Sequence, residues 1–441
     1  MKKLLLIFLL IPFVTKAQYK GSASVTQGKA ATIITNLYSC TGGRIAGIGT
    51  ITASDKTVWT VPALTNFNNS NFPFASDLNN PCNGANYANS SIALSKLNGS
   101  DIIIVDADGE LITAYVFADN YFEMYINGKP VGKDNVPFTQ FNSNIIRFKV
   151  KKPFTIAMLL VDWEENLGLG SENNGGFAYH PGDGGMVAVF KDINNNTIAK
   201  TDNSWKAQTY YTSPIIDLSC PSEIGNIRLT DKCSTQNSND GSKYYALHWS
   251  LPDNWMNNDF DETAMPYSST FTNSEIGVDN KPAYTNFINI FDEVGSDAQF
   301  IWSSNVILDN LVIVRYKVAG LTEVEDTENI NNEINISPNP SDYKYFKIDY
   351  KINIDDFVSL QIYNTLGIKV LESEKLINEI NINNLQAGIY IINLQLKNKQ
   401  INTNLYQTYN KIRNIANDNY IMILLFPFRH VFDEELQQAY L

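Results

Sequence analysis

No motif of a common enzyme class stands in this sequence. It has only three histidines, His180, His248 and His430, and lacks HExxH, GxSxG, GxxxxGKS/T and a nucleotide-type GxGxxG. That excludes the metalloprotease, nucleophile-elbow, P-loop and dinucleotide chemistries those motifs mark. Charge is scarce as well, at 18% of residues against an average of about 25%. What there is runs acidic, with 46 Asp and Glu against 33 Lys and Arg and a net charge of −13. Clustered cations for nucleic acid or an anionic membrane are therefore missing. No apolar run reaches the roughly 20 residues of a transmembrane anchor. Nor does any stretch of residues 101–320 sustain helical periodicity.

The 441 residues exceed what one core usually supports, and 44% apolar content with 23 Tyr, 23 Phe and 6 Trp is ample for two or three domains. Met1, Lys2 and Lys3 precede an apolar run over 4–14, and Ala17 precedes Gln18. Residues 1–17 read as a signal peptide, which sends the chain through the periplasm to the medium or the outer cell surface. No cysteine follows the cleavage point to carry a lipid. In an exported chain, the even set Cys40, Cys82, Cys220 and Cys233 favours disulfides, and a zinc site would lack any CxxC pair. Proximity in sequence favours Cys40–Cys82 and Cys220–Cys233 among the three connectivities possible.

Nearly every periodic segment has period two. Residues 112–117 (ITAYVF) and 121–126 (YFEMYI) alternate, and Asn127-Gly128 follows as a hairpin signal. Residues 145–150, 186–190 and 311–318 continue the pattern. Residues 154–161 (FTIAMLLV) are apolar throughout, as in a strand buried on both faces. The prediction is an all-β sandwich over 101–320. The N-terminal β region 18–100 reads as a small subdomain or as the first strands of the same sandwich. Residues 321–333 (LTEVEDTENINNE) form an acidic linker.

After that linker come residues 334–340 (INISPNP), 358–367 (VSLQIYNTLG) and 385–392 (LQAGIYII), three alternating segments separated by turn residues. Together they resemble the type A sorting domain of type IX secretion, with its PNP start, IYN..G strand and L..G.Y strand. The resemblance covers 334–405. It implies a small Ig-like β-sandwich, and the type IX secretion machinery as a partner. Residues 406–441 extend past the last expected strand as an atypical tail with an apolar block at 420–426.

Upstream, residues 118–129 (ADNYFEMYINGK), 255–262 (WMNNDFDE), 298–302 (AQFIW) and Arg315 resemble galactose-binding-like jelly-roll modules. This implies a β-sandwich fold but leaves function open. The densest polar cluster is Asp162, Trp163, Glu164 and Glu165, then Glu172, then His180 and Asp183 in a Gly-rich loop. Such residues suit a glycan site, in which the Trp163 ring stacks on a pyranose and the acids accept its hydroxyl hydrogens. The competing reading is a solvated, turn-rich rim. Ca2+ is the one candidate cofactor, with Asp106 and Asp108 as further possible ligands, although 106–110 lacks a full calcium-loop pattern. The expected function is a non-catalytic, glycan-binding exported protein. A carboxylate-based polysaccharide hydrolase using Glu164, Glu165, Glu172 or Asp183 is the rival, since paired acids leave no sequence signature. An adhesion or matrix protein without a small ligand is the third reading.

Overall fold

The computed structural model describes residues 19–292, 297–320, 334–337, 345–350, 356–364, 368–382, 385, 388–397 and 400–407. The expected signal peptide (1–17), the acidic linker (321–333), Pro338 to Pro340 and the tail beyond Gln407 lie outside the described residues. The chain divides into two units between Leu321 and Thr322.

The first unit is an all-β sandwich. One sheet has seven antiparallel strands in the order Ser24–Gln27, Tyr245–His248, Lys206–Ile215, Asp309–Val318, Phe154–Val161, Tyr121–Ile126 and Lys129–Lys133. The facing nine-stranded sheet runs Ser269–Phe271, Phe300–Trp302, Gly185–Lys191, Glu110–Asp119, Ser143–Val150, Ser76–Asn80 and Ala85–Asn86, with Thr197–Lys200 and Ile102–Ile104 pairing off this path. Alternation explains the packing. Phe122, Met124 and Ile126 from one sheet meet Ala114, Val116, Ile146 and Phe148 from the other in a single buried core. The Asn127-Gly128 turn has positive φ at both residues, as a tight hairpin requires.

Both sheets are covered on their second face too. Tyr121, Tyr125, Leu159 and Ile313 pack beneath Ile48, Val61, Phe67 and Phe72 from the N-terminal region. Tyr284, Phe287 and Phe291, from the short helices Pro282–Thr285 and Ile288–Phe291, join the core cluster of the nine-stranded sheet. Hence every residue of Phe154–Val161 is buried, as its unbroken apolar run suggests. The N-terminal region adds strands to both sheets and builds a three-stranded sheet of its own from Ala31–Ile34, Ile48–Thr52 and Val58–Val61.

Several charged groups trapped between these layers are held by multiple hydrogen bonds. Glu123 accepts from the Asn66 backbone N–H and side chain, Tyr121 and Tyr125. Lys133 donates to the carbonyls of Asn66, Phe67 and Asn69 at 2.7–2.9 Å. Arg315 donates to Glu262 and to the carbonyls of Trp255 and Asn257. Disulfides Cys40–Cys82 and Cys220–Cys233 close loops of 42 and 13 residues' separation. Chain-entropy reasoning values them at roughly 4 and 3 kcal/mol.

The second unit is a smaller pair of sheets. Lys369–Ser373, Phe357–Asn364, Gly388–Leu396 and Gln400–Gln407 form one, and Ile334–Ser337, Tyr345–Tyr350 and Glu379–Asn381 the other. Phe346, Ile348, Leu360, Ile362, Tyr390 and Ile392 fill the core. The buried Ile362 and Tyr390 are the apolar anchors of the IYN and GIY segments. The last strand reaches Gln407, two residues beyond the boundary drawn from sequence.

Asp134 stands out among the buried acids. Its Oδ1 accepts from Val136 N–H and Asn142, but Oδ2 has no partner. Burial pushes its carboxyl up to about 8. A carboxyl raised on folding contributes stability that is present below the ordinary carboxylate range and lost as pH rises through 8. His248, pushed down to about 3 by burial, acts in the opposite sense, its contribution fading as pH falls below 6.5. Asp134→Asn removes the Asp134 component alone. In urea melts the variant should match the parent near pH 4 and gain on it steadily up to about pH 8, by on the order of a few kcal/mol.

Candidate functional site

The chain passes from one sheet to the other within a single residue. Strand Glu110–Asp119 ends in the nine-stranded sheet, Tyr121 opens the next strand in the seven-stranded sheet, and only Asn120 lies between. Its N–H donates to the Val161 carbonyl at 3.1 Å, and its Oδ1 accepts the Trp163 N–H at 2.5 Å. This corner sets Asp119 close to Asp162, which follows the end of strand Phe154–Val161.

The hairpin Ser171–Asn174 and Phe177–Pro181 adds two more groups, with Glu172 directly opposite His180. Asp183 lies in the turn leading to strand Gly185–Lys191, where Gly185 pairs with Asp119. A Cβ on Gly182 would stand 2.9 Å from the Asp162 carboxylate, so glycine there permits a close backbone approach. The sandwich end thus gathers four carboxyls within electrostatic reach: Asp119, Asp162, Glu172 and Asp183.

Their environments differ in a way that matters chemically. Burial, then Asp183, Asp162 and Glu172, push Asp119 well above the usual range, with Lys281 opposing. Burial, then Asp183, Glu172 and Glu164, push Asp162 up with no cation in opposition. Burial raises Asp183 to about 6 against His180 and Lys281. Burial also raises Glu172, although Arg44 stands 2.5 Å away. The Asp162 carboxylate is 4% exposed and accepts no hydrogen bond among the described residues. Buried carboxylates normally hold two or three donors. A cavity of about 300 Å3 is lined by Asn79, Thr139, Gln140, Phe141 and Lys281 among others. Lys281 links it to the corner, with its ammonium 5.2 Å from the Phe141 ring centre and within electrostatic reach of Asp119 and Asp183.

Asp162, Glu172, His180 and Asp183 are therefore brought together, and the other expected residues are not. Trp163 is no stacking platform. It is buried, lies edge-on to Tyr121, and its indole N–H donates to the Gly47 carbonyl at 3.1 Å. Trp205, Trp249, Trp255 and Trp302 are buried too. Glu164 points inward, where Gly168 N–H, Gly170 N–H and Tyr211 O–H donate to it, and burial raises it to about 7. Glu165 is exposed and accepts from Asn173 N–H at 2.9 Å. Asp106 accepts from Lys151 N–H and Asp108 pairs with the Lys151 ammonium at 2.6 Å, so this turn is closed on itself and apart from the acid corner. Among the described residues no three His, Cys, Asp or Glu side chains form a group that could hold a metal ion. Asp119, Arg44 and Lys281 escape sequence reasoning, because each reaches the corner only through the fold.

Glu164→Ala leaves three donors unpaired and should cost about 3 kcal/mol in denaturant unfolding, whereas Glu165→Ala should change stability by under about 0.5 kcal/mol.

Among known proteins, the family model described as a secretion system C-terminal sorting domain matches residues 335–406. No curated protein matches the chain. The matched segment coincides with the second unit, and it makes this a secreted or cell-surface protein exported by type IX secretion. No described helix is long and apolar enough to cross a membrane.

Proposed function

We propose that the exported sandwich is a non-catalytic glycan-binding protein, with the acid corner of Asp119, Asp162, Glu172 and Asp183 and the adjoining Phe141–Lys281 cavity as its site. The observation that carries this reading is the Asp162 carboxylate, buried at a sandwich end without a donor among the described residues. A sugar brings hydroxyl donors, and the Phe141 wall suits the apolar face of its ring. A cavity of about 300 Å3 is at the small end of ligand pockets. The likeness to galactose-binding-like jelly rolls bears on the fold and leaves the ligand open. Two of the segments that carry it, 255–262 and Arg315, are bonded to each other.

One observation favours the rival, a carboxylate-based hydrolase. The corner places acids in unequal environments, with Asp183 near 6 and opposed by His180 and Lys281, and Asp162 pushed up by burial without a counter-charge, and such a division can serve acid and base roles. The test is a glycan array on the mature chain with and without chelator, followed by Asp162→Asn and by an assay for released reducing ends. Chelator-independent binding that Asp162→Asn weakens about tenfold, without hydrolysis, is the expected result. Hydrolysis abolished by Asp183→Asn would establish the rival instead. Neither binding nor hydrolysis on any glycan would leave a purely structural matrix role.

A further inference from the structure

Charge at the acid corner does not balance. Arg44 is engaged by Glu172 at 2.5 Å and Glu165 at 3.4 Å. His180 directs Nδ1 to Asn237 at 2.5 Å. Lys281 lies within reach of Asp119 and Asp183, where His180 also opposes the Asp183 charge, and it is shared with the Phe141 ring. Nothing cationic stands beside Asp162, whose electrostatic neighbours are Asp183, Glu172 and Glu164. No three His, Cys, Asp or Glu side chains among the described residues form a group that could hold a metal ion. Neutral hydroxyls would supply donors but no charge. A primary ammonium supplies both, with three N–H donors on one compact cation.

We infer that the site selects glycans carrying free primary amines, that is, amino sugars without N-acetylation, and seats the ammonium against Asp162 and its neighbouring carboxyls. This rests on the glycan-binding reading and names its ligand class. Burial of an uncompensated carboxylate disfavours the empty, fully ionised state. An arriving ammonium relieves that cost, so its contribution exceeds that of a hydroxyl at the same position.

The experiment is calorimetric titration of the mature chain with short glucosamine oligomers, their N-acetylated counterparts and a neutral glucan, at moderate salt and a pH where the amine is protonated. Because an acidic protein attracts any polycation, Asp108→Asn serves as a charge-matched control outside the site. Amine-bearing oligomers should bind at least about tenfold more tightly than acetylated ones. Asp162→Asn should abolish that preference and Asp108→Asn should preserve it. Asp183→Asn provides a second variant should Asp162→Asn melt early. Equal binding of all three ligands, or equal loss in Asp108→Asn, overturns the inference while leaving glycan binding intact. Absence of binding to any of the three removes both.

Discussion

Everything distinctive about this protein's candidate site follows from one constraint, the single-residue crossing between sheets at Asn120. A strand that changes sheets through one residue must have its corner fixed by hydrogen bonds. Asn120 supplies them by donating to Val161 and accepting from Trp163. The same bonds bring the ends of strands Glu110–Asp119 and Phe154–Val161 side by side, and with them Asp119 and Asp162. Without that corner the two carboxyls would belong to different layers. The hairpin 171–181 then closes over the pair with Glu172 and His180, while Gly182 lets its backbone approach Asp162.

The rest of the molecule shows what a buried polar group looks like when it is structural. Glu123, Lys133, Arg315 and Glu164 are all buried, and each meets several partners. These groups pin loops onto a sheet covered on both faces, and their loss would leave neighbours unpaired. Asp162 is buried too and has no donor among the described residues. That contrast within one fold separates the acid corner from ordinary core chemistry. A carboxylate in this state is pushed towards its neutral form or awaits a partner from outside.

Much of the architecture was legible in the sequence, because period-two alternation is a local signal. Strands 121–126 and 154–161, the Asn127-Gly128 turn and the all-β class all follow from neighbours in the chain. The second unit was legible for the same reason, since its motifs are short and ordered. The helices at 273–291 run four residues each, too short to register as a 3.6-residue period. The site was only partly legible. Asp162, Glu172, His180 and Asp183 lie close in sequence, so they could be grouped by eye. Trp163 was misread because a tryptophan between acids looks alike whether its ring faces a ligand or, as here, the core. Asp119, Arg44 and Lys281 come from far along the chain and carry no local signal at all.

Carboxyl 13C NMR titration of the ligand-free protein tests the account most directly, since it asks whether the acids share a dry corner. Coupled titrations displaced upward are the predicted result, with Asp183 near 6 and Asp162 well above the ordinary carboxylate range. Independent titrations of Asp119, Asp162 and Asp183 close to about 4, as for solvated carboxylates, would contradict it.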